Sequence, residues 1–146
     1  MSISPDYSNI QPYKEDDVND AILRMLANPV FQVMIDYLYP PEIHDKIRAD
    51  LSKAKSSLEF QKIFMYTGLN SILEKTTPKG LHFENEKYVT DGRAVSYVSN
   101  HRDILLDSAL LQIILVDLGL ETTEISFGDN LNINDFVNDF AGVNRM

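Results

Sequence analysis

The spacing of apolar residues changes once along this chain, after Gly80. From Asp17 to Lys75 apolar residues recur every three or four positions, and beyond Gly80 this recurrence is lost. One face of a helix returns every 3.6 residues and one face of a strand every two, so a change of spacing predicts a change of structure. The chain is therefore expected to begin as a helical bundle and to continue with extended segments.

Local signals divide the first stretch into four short helices. Asn28-Pro29 is typical of an N-cap followed by proline at the first helical position, and it starts the second helix. Pro40-Pro41 ends that helix, because proline cannot continue the backbone hydrogen bonding. Ser56 and Glu59 have the spacing of a capping box at the start of the fourth helix.

The second half predicts a strand, a helix and another strand. The run from Ala94 to Val98 lacks alternation, as expected for a strand covered on both faces. A helix from Ile104 to Leu118 follows, with Gly119 as its C-terminal cap, and Thr123 to Phe127 predicts the next strand. Two such strands and their helix imply a right-handed βαβ crossover, hence an α/β fold, α+β by content. A last helix is expected after a cap at Asn132 or Asn134.

Three regions follow from these patterns. Residues 1–16 are expected to form a flexible arm, 17–77 a helical region and 78–146 the start of an α/β domain. With 146 residues the chain has the size of one ordinary domain. The longest apolar stretch, Ile104 to Leu120, contains polar residues that are costly in a bilayer centre, so we expect a core helix there.

Composition excludes several classes of protein. The net charge of -9 and pI near 4.6 disfavour nucleic acid and a strongly anionic membrane as partners. The absence of cysteine excludes disulfides and thiolate metal sites and suits the cytosol. No secretory signal is evident at the start, so a cytoplasmic location is expected. His44 and His82 lack partners at metal-ligand spacing, and we expect no metal.

The candidate active site lies between the first predicted strand and the helix after it, at Asn100-His101-Arg102-Asp103-Ile104-Leu105-Leu106-Asp107. Ligands of α/β sheets bind beyond the carboxyl ends of strands, which is where this pattern places His101. A neutral imidazole can accept a proton near pH 7, so His101 is interpreted as a general base. An isolated histidine is more often structural, and the polar neighbours here favour the catalytic reading.

The sequence of residues 97–109 resembles the first signature block of the glycerolipid acyltransferases, in a bacterial branch. It reads Tyr-Val-Ser-Asn-His-Arg-Asp-Ile-Leu-Leu-Asp-Ser-Ala. In that family four residues separate the histidine from the acid, whereas five residues separate His101 from Asp107. The resemblance implies transfer of a fatty acyl group from coenzyme A or acyl carrier protein to glycerol 3-phosphate or lysophosphatidate, without a bound cofactor. It also implies cytoplasmic phospholipid biosynthesis, with peripheral contact at the inner face of the membrane.

On this reading His101 takes the proton of the acceptor hydroxyl, and a carboxylate fixes its tautomer. Asp107 is the preferred carboxylate; Asp103 is its rival, with helix capping as the other use of that residue. Arg102 either holds a phosphate or pairs with Asp103 on the surface. Asn100 shapes the turn or contacts the substrate.

The later blocks of the family, which supply a binding arginine, a Glu-Gly pair and a proline, have no counterpart in the sequence. Residues 142–146 resemble only the approach to the second block. We therefore expect an N-terminal piece of a longer enzyme, inactive or nearly so by itself, with an unfinished sheet edge that favours homo-oligomers. The alternatives are a non-catalytic helical/α-β interaction module, or a different hydrolase or transferase on one βαβ unit.

A set of methionine and aromatic residues in the helical region has two interpretations: Met25, Met34, Met65, Phe60 and Phe64. They either line an acyl-chain groove or fill a helical core, and the core is the more common use of such residues.

Overall fold

The computed structural model describes residues 11–84, 86–88, 92–99, 106–126, 128–131 and 133–146, and within them the chain forms helices and irregular segments but no strand. The α-helices are α1 Glu15–Leu26, α2 Pro29–Leu38, α3 His44–Leu51, α4 Ser57–Phe60, α5 Thr67–Thr76, α6 Leu106–Asp117 and α7 Asp135–Val143. A π-helical segment, Gln61–Tyr66, joins α4 to α5 without a break. Single 3₁₀ turns occupy Pro41–Ile43, Glu86–Tyr88 and Asp129–Leu131.

The predicted starts of the second and fourth helices are confirmed. The Asn28 side-chain oxygen accepts the backbone N–H of Val30 at 2.9 Å, and Pro29 takes the first helical position. The Ser56 hydroxyl accepts the N–H of Glu59 at 3.2 Å. These contacts satisfy backbone donors that have no partner inside the helix, which is why the sequence signal was sufficient.

The predicted end of α6 and one of the two predicted caps of the last helix are confirmed, whereas Ile104, the predicted first residue of α6, lies outside the described residues. Gly119 follows α6 with a φ of 72°, a left-handed conformation that glycine adopts without steric cost, and its N–H donates to the carbonyl of Val116. The Asn134 side chain accepts the N–H of Val137 at 3.0 Å at the start of α7. The other predicted cap, Asn132, lies outside the described residues.

The main core gathers side chains from α1 to α4, the π-helical segment and α7. Phe31 on α2 lies 4.7 Å from Phe64 between ring centroids, and Phe60 lies 5.6 Å from Phe64. Phe140 of α7 meets both Phe60 and Phe64 edge-on. The fully buried members of this core are Val18, Ala21, Ile22, Met25, Phe31, Ile35, Leu51, Phe60, Phe64 and Val143. Helix α7 is thus a structural part of the bundle that begins the chain.

A smaller apolar cluster attaches α6 to the bundle. Ala109 and Ile113 of α6 pack against Leu69 of α5, with Met65 and Leu73 beside them. Helix α6 is therefore a core helix, as the sequence predicted. None of the helices in the described ranges is long and apolar enough to cross a membrane.

The prediction of an α/β fold with a βαβ unit is wrong, because neither predicted strand has a ladder partner among the described residues. Residues 92–99 have no regular structure, and Val95 and Val98 are 40% and 96% exposed. A segment read as covered on both faces is therefore open to solvent. The predictions of an α+β content, a right-handed crossover and an unfinished sheet edge depend on these strands and are therefore wrong too.

The second predicted strand also fails for a visible reason. Residues 121–126 run across the bundle without regular structure. The N–H of Thr123 donates to the side-chain oxygen of Gln112 at 2.9 Å, and the N–H of Ile125 donates to the carbonyl of Arg145 at 2.8 Å. These donors are satisfied by a helix side chain and by the residues after α7, so no sheet is needed to pair them.

Candidate functional site

The predicted catalytic stretch is only partly within the structure. Asn100, His101, Arg102 and Asp103 lie outside the described residues. Asp107 is half-buried in the first turn of α6. A carboxylate in the first turn of a helix interacts favourably with the exposed N–H groups and the helix dipole. The structure therefore places one predicted site residue, and places it at a helix N-terminus.

A crevice begins next to Asp107, at Ser108. One wall is α6, and the other is the π-helical segment with the start of α5. Its cavity volume is about 30 Å³, enough for one or two water molecules. The space is therefore narrow. Its lining residues are Gln61, Met65, Tyr66, Leu69, Ser108, Ala109, Gln112, Ile113, Val116, Thr122, Ile125, Asn144 and Met146.

Three buried polar side chains form one end of the crevice. Gln61, Thr122 and Asn144 are each no more than 4% exposed. The Thr122 hydroxyl donates to the side-chain oxygen of Gln61 at 2.6 Å, and the Gln61 amide nitrogen donates to the backbone carbonyl of Asn144 at 3.2 Å. The Asn144 amide nitrogen donates to the carbonyl of Phe140 at 2.8 Å. The chain thus holds two amide groups rigidly inside its core.

Arg145 holds the residues at this end of the crevice in place. Its guanidinium donates to the carbonyl of Thr122 at 2.8 Å, while its own carbonyl accepts the N–H of Ile125. Its φ of 62° is unusual for a residue other than glycine and costs roughly 1 kcal/mol. The two contacts hold the strained backbone in place and fix residues 122–125 against the segment after α7.

The π-helical segment shapes the second wall. A π-helical turn is wider than an α-helical one, since its hydrogen bonds run from residue i to i+5. Gln61, Met65 and Tyr66 of this segment all line the crevice. The Tyr66 hydroxyl also donates to the Asp117 carboxylate at 2.5 Å, and this hydrogen bond, aided by partial burial, raises the pKa of Tyr66. The hydroxyl therefore remains protonated at neutral pH and ties the π-helical segment to the end of α6.

A second buried polar cluster lies away from the crevice and has a structural role. The Asp139 carboxylate of α7, 5% exposed, accepts Nε and Nη2 of Arg24 at 3.0 and 2.6 Å. It also accepts the Tyr13 hydroxyl at 2.7 Å. Burial, followed by the hydrogen bond to Asp139, raises the pKa of Tyr13. The Asp139 carboxylate binds both Arg24 and Tyr13. The cluster therefore attaches α7 to α1 and to the residues before α1.

Two histidines fall within the described ranges, and neither lies at the crevice. His44 begins α3, where Nε2 is 2.8 Å from the carbonyl of Tyr39 and Nδ1 is 3.2 Å from Asp36. His82 is exposed and lies 3.4 Å from Glu84. Their assignment as structural or exposed residues is confirmed. Within the described ranges no group of three His, Cys, Asp or Glu side chains could hold a metal ion.

The core reading is confirmed for Met25, Phe60 and Phe64, and Met34 and Met65 pack against that core. Met65 also lines the crevice. Sequence reasoning missed Gln61, Thr122 and Asn144, which meet only in the folded chain. Gln61 carried a weak signal, since it is an amide directly after Phe60 on a helix otherwise rich in apolar residues.

Comparisons with family models, curated proteins and solved structures found no match to this chain. The chemistry of the site therefore has to follow from its own residues.

Proposed function

We propose that this chain takes part in the transfer of a fatty acyl group from a thioester to a glycerol-phosphate-type hydroxyl. The observation that carries the proposal is the position of Asp107 in the first turn of α6, directly before Ser108, which lines a narrow crevice with mostly apolar walls. The sequence from Tyr97 to Ser108 supports the same chemistry through its resemblance to an acyltransferase block. The apolar walls of the crevice exclude water one residue away from the acid, which limits hydrolysis of a thioester.

The proposed reaction assigns one step to each residue. His101 accepts the proton of the acceptor hydroxyl while that oxygen attacks the thioester carbonyl carbon. The carbon–sulfur bond then breaks, and the imidazolium returns its proton to the departing thiolate. Asp107 is a positioning residue, whose carboxylate holds the other ring nitrogen and stabilises the charged imidazole. Arg102 and Asn100 are proposed to contact the acceptor, with Asp103 as the alternative partner of His101.

The test measures acyl release from a radiolabelled acyl-coenzyme A in the presence of glycerol 3-phosphate or lysophosphatidate. The sequence lacks the later phosphate-binding blocks of the family, so we expect slow release even at high acceptor concentration. His101→Ala should reduce that release to the rate in buffer, because a general base contributes about 10² to 10⁴ in rate. Asp107→Asn should reduce it by at least about tenfold, and Asp103→Asn by less.

The control variant is Val33→Ala, on the exposed face of α2, which should release acyl groups at the rate of the unchanged chain. Release that does not depend on His101 would overturn the proposal. A larger loss in Asp103→Asn than in Asp107→Asn would assign the positioning role to Asp103 instead.

A second candidate function is a helical interaction module without catalysis. It is favoured by an exposed apolar stripe on α2, where Val30, Val33 and Tyr37 are 54%, 66% and 81% exposed. Sedimentation over a range of concentrations tests it for self-association. The interaction-module function is supported if the double variant Val33→Ser, Tyr37→Ser abolishes association while His101→Ala changes neither association nor acyl release.

A further inference from the structure

The backbone of residues 94–99 makes no hydrogen bond to any other residue that the structure describes. Its N–H and carbonyl groups lie at the surface, where Val95 is 40% and Val98 96% exposed. The other irregular segment, 121–126, differs, because Gln112 and Arg145 accept two of its N–H groups. A row of exposed backbone groups without partners is a template for pairing with another chain.

Alternate side chains of this segment point in opposite directions. Arg93, Val95 and Tyr97 line a cavity of about 300 Å³ beside the end of α6, whereas Ser96 and Val98 do not. A period of two residues is that of a strand. Valine and tyrosine also favour strands, since they pack well on a pleated surface. The segment therefore has the side-chain arrangement of a strand and lacks a neighbouring strand.

The segment is complementary to itself in the antiparallel direction. When Ser96 stands opposite the same residue of a second copy, Val95 stands opposite Tyr97 and Arg93 opposite Ser99. Pairs of a β-branched and an aromatic residue stabilise neighbouring strands, and no two like charges are opposed in this register. The pairing is also closed by a two-fold axis, so it produces a dimer and not a fibre.

The charge of the segment favours the same occupant. Residues 92–99 contain one arginine and no acidic residue, in a chain whose net charge is -9. Most of an acidic surface repels a second copy, whereas two copies that meet at this segment bring little like charge together. A second copy therefore fits both the side-chain pattern and the charge.

We propose that residues 93–99 of two copies of this chain pair as a two-stranded antiparallel ribbon centred on Ser96. The described part of one chain offers the segment no strand to join, so the ribbon forms only between chains. Two strands alone are marginally stable in water, and packing of Val95 and Tyr97 beside Leu115 supports them. The interface is small, so we expect a Kd of roughly 0.01 to 1 mM.

Sedimentation equilibrium of the full 146-residue chain, over a range of concentrations, tests the register through charge. Ser96→Lys places two ammonium groups opposite each other, and Ser96→Glu places two carboxylates there. Each variant alone should associate about threefold to fivefold more weakly than the unchanged chain. An equal mixture of the two variants should associate at least as well as the unchanged chain. Ser96 is exposed, and circular dichroism should show that both variants keep their helices.

Oxidative cross-linking tests the pairing independently. The chain contains no cysteine, so a single introduced cysteine reports which residues meet. Opposed residues of antiparallel strands have Cα atoms about 4.5 to 5.5 Å apart, a distance that a disulfide spans. Ser96→Cys should therefore form a covalent dimer about tenfold faster than Val33→Cys. Val33 is the matched control, because it is 66% exposed and lies outside the segment, on α2.

The outcomes that overturn the inference are specific. Ser96→Cys that oxidises no faster than Val33→Cys would show that the segment does not pair with itself. Faster oxidation of Val33→Cys would overturn the inference and assign self-association to α2. A mixture of Ser96→Lys and Ser96→Glu that associates no better than either variant alone would overturn the inference too. None of these measurements uses an acyl donor, and His101→Ala should dimerise like the unchanged chain.

Discussion

Gly142 of α7 lies directly under the ring of Tyr13, so even a methyl group there should disturb the cluster around Asp139. A Cβ atom on Gly142 would stand 2.8 Å from both Cδ2 and Cε2 of Tyr13. Carbon atoms in contact normally stand about 3.5 to 4.0 Å apart. Gly142→Ala therefore has to displace the ring by roughly 0.7 Å or more. That shift can lengthen the hydrogen bond of the Tyr13 hydroxyl to Asp139, now 2.7 Å, to about 3.4 Å, beyond the usual range of such bonds.

The magnitude follows from two opposing contributions. A hydrogen bond to a charged group is worth about 1.5 to 3 kcal/mol, and the half-exposed Tyr13 places this one at the lower end. The displaced ring also loses packing on α7. Alanine in place of glycine favours a helix by up to about 0.8 to 1 kcal/mol. We expect Gly142→Ala to lower the free energy of unfolding by about 1 to 2 kcal/mol in total.

Urea unfolding followed by circular dichroism measures this loss, in the unchanged chain and in a Tyr13→Ala background. Without the ring the clash is gone, so Gly142→Ala should become neutral or stabilise by about 0.5 kcal/mol. The coupling energy of the double-mutant cycle should therefore exceed about 1 kcal/mol. Equal losses in both backgrounds would refute the reasoning, because they would show that the ring does not rest on Gly142.

Three further predictions concern the core, the ionisation of Tyr39 and a helix cap. Phe64→Ala should cost about 3 to 5 kcal/mol in urea unfolding, since Phe64 is fully buried, and a cost below about 1 kcal/mol would exclude it from the core. Burial raises the pKa of the Tyr39 hydroxyl, which donates to the carbonyl of Phe64. Because the folded pKa exceeds the unfolded value of about 10, the contribution is complete below pH 10 and is lost as the pH rises further. Tyr39→Phe should flatten that alkaline loss in a series of urea titrations, and an unchanged slope above pH 10 would contradict this. Asn28→Ala should lower stability by about 1 kcal/mol in thermal unfolding, whereas Asn28→Asp should retain most of it.

Local signals predicted most of the helices correctly, because their causes lie within a few residues. Asn28, Ser56 and Asn134 each accept a backbone N–H two or three positions ahead, so a short window of sequence contains both partners. Gly119 likewise ends α6 through its own backbone conformation. Such features need no knowledge of the rest of the fold.

The strands were predicted wrongly for the opposite reason. The run from Ala94 to Val98 has strand composition, but a strand also needs a neighbour to accept its hydrogen bonds. The described residues offer none, and 121–126 bond instead to Gln112 and Arg145. Composition alone cannot distinguish a buried strand from an irregular apolar segment on a helical bundle.

The sequence by itself determined where α2 and α4 start and where α6 ends, and it singled out the stretch from Asn100 to Asp107 as the candidate chemistry. Only the tertiary structure brought Gln61 to Thr122 and Asn144, and Arg24 to Asp139, across 115 positions in the latter case. Caps and turns are stabilised by adjacent residues, so their signal is local. Crevices and buried polar clusters are formed by distant residues that share a solvent-free space, and which residues share it is decided when the helices pack.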